Sequence, residues 1–276
     1  MESTATHYDA HYTTGDLKPR IKAMLDGAGT SPSAATPEQM AAFDQFHVRG
    51  VLATTELADL AGFGPGQKIL DVGCGIGGPA RYLNTVRGCL VTGIDLTDEF
   101  VQTAKWLTEE QRQGHAVEFV TGSALETPFE DASFDGAWMQ HVNMNIADKP
   151  GLFKEVARVL KPGAKFAMHE ILADKVDQPH FPLPWSRTPE GSHLAHEPEF
   201  RAALESAGFQ IEEWKDETSA STEWFKAVFA KMAESGPPPI NVGVLLGPEF
   251  PGFAANANRS MEEGLIKVVM VVAAKR

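Results

Sequence analysis

The sequence predicts an α/β fold built on a mostly parallel sheet with helices on both faces. Three observations predict it. From residue 68 onward, short apolar strands alternate with helical segments, as a parallel sheet with crossover helices requires. The first strand runs into a glycine-rich turn and a helix start, Lys68-Ile-Leu-Asp-Val-Gly-Cys-Gly-Ile-Gly-Gly78. The chain has 276 residues, 43% of them apolar, enough for one large α/β domain with insertions or two small domains.

The elements follow in order. Ile69–Val72 reads as the first strand, and Pro79–Thr85 starts a helix. Cys89–Asp95 is a second strand ending in an acid, Asp98–Gln113 a helix and Val117–Thr121 a third strand. Phe134–Met139 is a fourth strand, and Lys149–Leu160 a helix closed by Lys161-Pro162-Gly163. Lys165–Ile171 is a fifth strand, Glu199–Ala207 a helix ended by Gly208, and Gln210–Lys215 and Ile266–Ala273 the last two strands. Upstream, residues 37–61 read as one helix. Pro37 suits its first turn, Met40, Phe43, Phe46, Val51, Leu57 and Leu60 recur at roughly helical spacing, and Gly62 and Gly64 stop it.

The domain therefore spans 37–276, preceded by a polar leader at 1–36 that is a flap or a tail, with a short helix near Arg20–Leu25. Two insertions break the rhythm. Residues 173–197 hold four prolines and three histidines. Residues 219–263 hold an amphipathic helix carrying Trp224, Phe225, Val228, Phe229 and Met232, then Pro237-Pro-Pro239 and a Gly/Pro/Phe loop. Long insertions in compact domains commonly serve as lids or binding loops.

Formal net charge is −13 and no basic run occurs, which argues against a nucleic-acid partner, because phosphate neutralisation needs clustered Lys and Arg. Two cysteines, Cys74 and Cys89, make no disulfide framework. The N-terminus lacks the basic and apolar regions of a signal peptide. The apolar run Val268–Ala274 is too short to span a bilayer. The expectation is a cytoplasmic protein that acts on a small molecule, without a nucleic-acid or membrane partner.

The glycine turn carries the chemistry. Glycine lets a ligand approach the backbone closely, and the amides of the helix start favour polar or negative groups. Gly73, Gly75 and Gly78 satisfy the dinucleotide pattern G-x-G-x-x-G. Asp71 with Gly73, Gly75 and Gly77 also satisfies D-x-G-x-G-x-G, the first motif of class I S-adenosylmethionine (SAM) methyltransferases. Asp71 favours the second reading. Its carboxylate would repel a pyrophosphate, but it can accept hydrogen bonds from the ammonium of a methionine moiety. A nicotinamide-dependent dehydrogenase and a ligand-free turn are the alternatives.

Asp95, 18 residues beyond Gly77 at the end of the second strand, can take both hydroxyls of a ribose. With that acid in place, residues 40–275 resemble the class I SAM-dependent methyltransferases. Phe46-His-Val-Arg-Gly50 and Met139-Gln-His-Val-Asn143 give the chain the character of the sarcosine/dimethylglycine N-methyltransferases within that superfamily. The resemblance implies a Rossmann-like, seven-stranded sheet with its last strand antiparallel, and helical lids from the two insertions. It implies SAM as cofactor and N-methylation of a glycine-derived amine, and it leaves room for a homodimer. An O- or C-methyltransferase for an aromatic or polyketide-like metabolite is the alternative within the class. A non-catalytic binder of SAM or its demethylated product is the alternative outside it.

The resemblance also implies roles for residues. Asp71, Gly73, Cys74, Gly75 and Gly77 hold the cofactor at the turn, Asp95 its ribose, and Leu96 its adenine. Ser123 stands where the family often has an acid for the adenine amino group, and the Ala124 amide can donate to the ring. Gln140 reaches the methionine end. His141 and His169 are candidate bases, because imidazole titrates near neutral pH; Glu170 follows His169 at the same strand end. Tyr8, His11 and Tyr12 form a candidate flap. Tyr12, Arg49, His141, Asn143, Trp185 and Arg187 are candidate substrate contacts, with arginine suited to a carboxylate; Arg20 and Trp224 share those options. His193-x-x-His196, near His180, is not a usual metal pair on one helical face, so no metal is expected.

Overall fold

The computed structural model describes residues 12, 13 and 15–276; Tyr8 and His11 lie outside them. Seven strands form one sheet: β1 (Lys68–Val72), β2 (Leu90–Asp95), β3 (Val117–Thr121), β4 (Phe134–Gln140), β5 (Leu160–Ala173), β6 (Phe209–Asp216) and β7 (Ile266–Lys275). Their order is β3-β2-β1-β4-β5-β7-β6. The first five strands are parallel, and β7 runs antiparallel to both β5 and β6. The Rossmann-like fold with an antiparallel last strand is therefore present. Strand order reverses between β1 and β4, and the crevice at their carboxyl ends is where such sheets bind ligands.

Ten helices accompany the sheet among the described residues: α1 (Leu17–Gly27), α2 (Pro37–Asp44), α3 (Gly50–Ala61), α4 (Gly78–Arg87), α5 (Asp98–Glu110), α6 (Lys149–Val159), α7 (Glu197–Ser206), α8 (Thr218–Ser235), α9 (Gly243–Leu246) and α10 (Phe250–Glu262). One face of the sheet packs Phe153 and Val156 of α6 and Phe200 and Leu204 of α7 against Phe166 and Met168. The other packs Leu57 of α3, Leu83 of α4 and Val101 of α5 against Ile69 and Trp138. The strands read as continuous apolar runs because both faces are covered.

Three expectations are corrected. Residues 37–61 are two helices, not one. Thr36 and Gln39 close a capping box on α2, but the chain breaks after Asp44 and Arg49 sits in the left-handed region at φ 66°. Apolar spacing continues through the break because Phe46 and Val48 still pack inward. Lys161-Pro-Gly163 does not end an element; α6 passes directly into β5, which extends on to Ala173 because all of its far half pairs with β7. The Gly/Pro/Phe loop contains α10, whose Pro251 occupies a first-turn position and whose Phe253, Ala254, Ala257 and Met261 form its buried face. No helix among the described residues is long and apolar enough to cross a membrane.

Candidate active site

A cavity of about 1250 Å³ opens at the carboxyl ends of β1, β2 and β4. Its floor is the glycine turn. Gly75 takes φ 53°, and a Cβ there would meet nothing within 4 Å, so the backbone faces open space. Gly78 is the opposite case: a Cβ there would collide with the carbonyl oxygen of Asp44, so the helix start needs glycine for packing. Beneath it Asp44 Oδ2 and Arg81 Nη2 form a buried ion pair at 2.8 Å.

Two acids border the turn. Asp71, at 2% exposure, has a carboxylate oxygen, Oδ2, without any hydrogen-bond partner. Burial pushes its carboxyl up to about 8, and the neighbouring Asp95 adds to the shift. Asp95 is locally tethered: Oδ2 accepts from the Gly75 amide at 2.9 Å and Oδ1 from the Thr97 amide at 2.9 Å. Burial raises its carboxyl too, against those hydrogen bonds. Each of its oxygens keeps a second lone pair.

The strand that faces this floor ends in Gln140 and His141. Gln140 Oε1 accepts from Trp138 Nε1 at 2.9 Å and from Thr54 Oγ1 at 3.3 Å, while its Nε2 has no partner. His141 turns the chain out of β4 with φ 55°, an uncommon conformation for a non-glycine residue. Glu170 fixes that turn, accepting from the amides of Val142 and Asn143 at 3.1 Å and from Asn143 Nδ2 at 3.2 Å. Glu170 is fully buried, and burial brings its carboxyl up to about 7.

Three imidazoles cluster here. The His141 and His169 ring centroids are 4.7 Å apart, and His47 lies 6.0 Å from the first and 5.8 Å from the second. Burial depresses all three: His47 falls to about 4, and His141 and His169 go well below the usual range, with the neighbouring rings adding to the shift. The cluster is neutral at physiological pH. Among the described residues no three His, Cys, Asp or Glu side chains are placed to hold a metal ion.

Asp71, Gly73, Cys74, Gly75, Asp95, Gln140, His141, Tyr12, Arg49 and Trp185 all line the cavity. Tyr12 packs edge-on to Phe100 at 5.6 Å, and burial raises its hydroxyl against a hydrogen bond with Asn145. Trp185 donates to Ser192 Oγ at 2.9 Å. Arg49 is already engaged by Glu56 at 2.5 Å and by the buried Glu217. Other residues do not join the wall. Gly77 supports the turn from behind, where a Cβ would meet Phe119 at 2.5 Å. Leu96 is exposed, Ser123 caps its own turn by accepting from Leu125 N, and Ala124 packs on the core. Asn143 is consumed by Glu170, His169 is fully buried behind His141, and Arg187 pairs outside with Glu249 at 2.8 Å.

The residues 70–168 match the family model described as a methyltransferase domain. Over that stretch the chain is similar to methyltransferase domains. The floor fits S-adenosylmethionine, the cofactor of that family: an open glycine backbone, an unpartnered buried carboxylate and a second carboxylate with free lone pairs. The chain is 31% identical over 169 residues to sterol 24-C-methyltransferase of Saccharomyces cerevisiae, covering 56% of this chain and 42% of that protein. It spans less than half the length of the curated relatives it matches. Its fold matches geranyl diphosphate C-methyltransferase from Streptomyces coelicolor with a TM-score of 0.73 and 17% identity, over 100% of this chain and 99% of that one. A putative sarcosine dimethylglycine methyltransferase from Galdieria sulphuraria matches with a TM-score of 0.67 and 19% identity, over 82% and 86%. These two likenesses speak for the fold alone.

Sequence reasoning missed His47 and Gln45 in the cavity wall. Their signal was the helix break, which the continuing apolar spacing concealed. It also missed how much of the wall the last insertion supplies: Trp224, Phe225, Val228, Phe229, Met232 and Phe250 all face the cavity.

Proposed function

We propose that this chain transfers a methyl group from S-adenosylmethionine to a hydroxyl on a bulky, largely apolar small molecule, a phenol or an enol. The observation that carries the reading is the pairing of neutral wall histidines with a broad aromatic and aliphatic roof in one cavity of about 1250 Å³. The cofactor supplies a methyl group on a positively charged sulfur. Asp71 and Asp95 hold its ammonium and ribose, and the Gly75 backbone lets it lie close. The apolar roof, with Trp185 and Phe250 in it, binds the acceptor and keeps water from the sulfonium. A hydroxyl needs a base to become a good nucleophile, and a neutral imidazole in the wall provides one. The insertions at 173–197 and 219–263 act as the lid over the acceptor.

The sequence had favoured a glycine-derived amine. The cavity argues for the alternative. Of the arginines suited to a glycine carboxylate, Arg49 is held by two carboxylates, Arg187 lies outside the wall, and Arg20, which lines the cavity beside Lys231, is engaged by the Val244 carbonyl and Asp16. A molecule as small as sarcosine would also leave most of the roof unfilled. The likeness in sequence to a sterol 24-C-methyltransferase, and in fold to a geranyl diphosphate C-methyltransferase, agrees with an acceptor that has a large apolar part.

The test is transfer from methyl-deuterated S-adenosylmethionine to naphthols, alkylphenols, a cyclic enolisable diketone, glycine, sarcosine and dimethylglycine, read by mass spectrometry. A labelled ether from the first three classes is expected. Label confined to sarcosine or dimethylglycine would sink the reading.

A further inference from the structure

Which wall histidine takes the proton is decided by hydrogen bonding around His47. His47 Nε2 lies 3.0 Å from the carbonyl oxygen of Gly50 and 3.0 Å from Thr54 Oγ1. A carbonyl oxygen only accepts, so Nε2 carries the ring hydrogen. The Thr54 hydroxyl gives its own hydrogen to Gln45 Oε1 at 2.7 Å, so toward His47 it accepts as well. Both neighbours therefore select one tautomer, and Nδ1 is left with a bare lone pair. Nδ1 makes no hydrogen bond among the described residues and is not enclosed, and the ring lines the cavity.

The other two imidazoles differ. His141 Nε2 is enclosed without a partner, and no hydrogen bond among the described residues selects its tautomer. His169 is fully buried with both ring nitrogens unpartnered and lies outside the cavity wall. The groups facing His47 are these two rings, from β4 and β5, Thr54 on α3, and Gln45 and Arg49 on its own loop. Arg49 is neutralised by Glu56 and Glu217. Gln140 Oε1, 3.3 Å from Thr54 Oγ1, is the more distant alternative acceptor for the same hydrogen, and with either choice Thr54 accepts from His47. This is the arrangement a general base needs: one nitrogen pinned by an orienting partner, the other unpartnered on a ring that lines the cavity.

We infer that His47 is the catalytic base of the site, its Nδ1 receiving the acceptor hydroxyl's proton. The oxygen–methyl bond forms as the carbon–sulfur bond breaks, the electron pair leaves with sulfur, and the imidazolium later returns its proton to water. The assignment rests on the hydroxyl-methylation reading above.

The test separates the two. Nitrogen NMR of histidine-labelled protein, saturated with S-adenosylhomocysteine, reports the tautomer of His47, identified by the signal lost in His47→Gln. An Nε2–H tautomer is expected, with an Nδ1 signal that 1-naphthol moves and 1-methoxynaphthalene does not. An Nδ1–H tautomer, or an Nδ1 signal that naphthol leaves in place or that both ligands move equally, overturns the assignment whatever the enzyme methylates. His47→Gln then supplies the kinetic arm. The glutamine amide can replace the Nε2–H donor to Gly50 but offers nothing in place of the Nδ1 lone pair. Turnover on the naphthol should fall roughly 10²- to 10⁴-fold with cofactor affinity unchanged. A glutamine variant that keeps turnover would make His47 structural and overturn the proposal. If label reaches only amines, the hydroxyl reading fails instead, and the NMR result still stands by itself.

Discussion

Asp44 and Arg81 meet at 2.8 Å directly under the glycine turn, with side chains 4% and 6% exposed. Arg81 also donates to Thr108 at 3.2 Å, so the pair ties the end of α2 to α4 and α5. Removing one partner leaves the other charge buried and uncompensated. Arg81→Ala should cost about 3–5 kcal/mol, measured as a fall in the urea midpoint with an unchanged slope. A loss below about 1 kcal/mol would mean that the pair is solvated. Because Asp44 also supplies the carbonyl against which Gly78 packs, Gly78→Ala should lower stability in the same direction.

Cofactor binding should release a proton. In the free protein the Asp71 carboxyl titrates near 8, chiefly through burial, so it is mostly protonated at pH 7. An ammonium bound beside it reverses that preference. Calorimetry at pH 7 in buffers of different ionisation enthalpy should show release approaching one proton per S-adenosylmethionine. Asp71→Asn should abolish the release and weaken binding about 10- to 100-fold, the loss of one charge-assisted hydrogen bond. Enthalpies that do not depend on buffer would remove Asp71 from the ammonium. The stability sign follows from linkage: a carboxyl raised in the folded state binds more protons there than in the unfolded chain. Stability of the free protein therefore falls as pH rises from the unfolded carboxyl range through about 8, and Asp71→Asn should flatten that fall.

The floor of the site was legible in the sequence, and the wall was not. Asp71, the glycines and Asp95 sit at strand ends that local pattern places to within a residue, because β1 and β2 are short apolar runs bounded by turn residues. His47 was hidden for the opposite reason. Apolar positions recur through Phe46 and Val48 as if α2 continued, and only the left-handed Arg49 shows that it does not. Glu170 read as a strand-end functional acid, yet β5 runs past it and buries it. Its partners, the Val142 and Asn143 amides, are 27 or 28 residues distant in sequence, a pairing that local pattern cannot supply. The roof comes from insertions, whose apolar faces are readable as amphipathic but not as facing ligand.

The histidine cluster should make the fold acid-sensitive. His47, His141 and His169 all titrate below the unfolded value of about 6.5, first through burial. As pH falls below that value the unfolded chain takes up protons that the folded chain refuses, so their contribution is full above it and is lost as pH falls toward each folded value, about 4 for His47. His169→Leu removes one such group from a fully buried position where neither nitrogen has a partner. It should reduce the acid slope of unfolding free energy by up to about 1.4 kcal/mol per pH unit, followed by urea titrations between pH 4 and 7. An unchanged slope would mean that His169 is protonated in the folded protein.

Arg49 and Glu217 join the loop that carries His47 to the first residues of the roof helix α8. Glu217 is 1% exposed and also pairs with Lys215 at 2.6 Å, so the link is buried at one end and wet at the other. If Arg49 were a carboxylate clamp for substrate, Arg49→Met would abolish activity on carboxylate acceptors and spare all others. The ion pair predicts something different. The variant leaves the buried Glu217 with the exposed Lys215 as its remaining partner, loosens α8 over the cavity, and should raise KM for every bulky acceptor while leaving cofactor affinity in place. Replacing both partners, Arg49→Met with Glu217→Gln, removes the under-compensated buried charge and should recover part of the lost stability, because breaking a buried pair costs more than replacing it. A double variant no more stable than Arg49→Met would show that the arginine acts through something other than Glu217. Thermal melts with and without S-adenosylhomocysteine, beside KM values for a naphthol and a simple phenol, separate these outcomes.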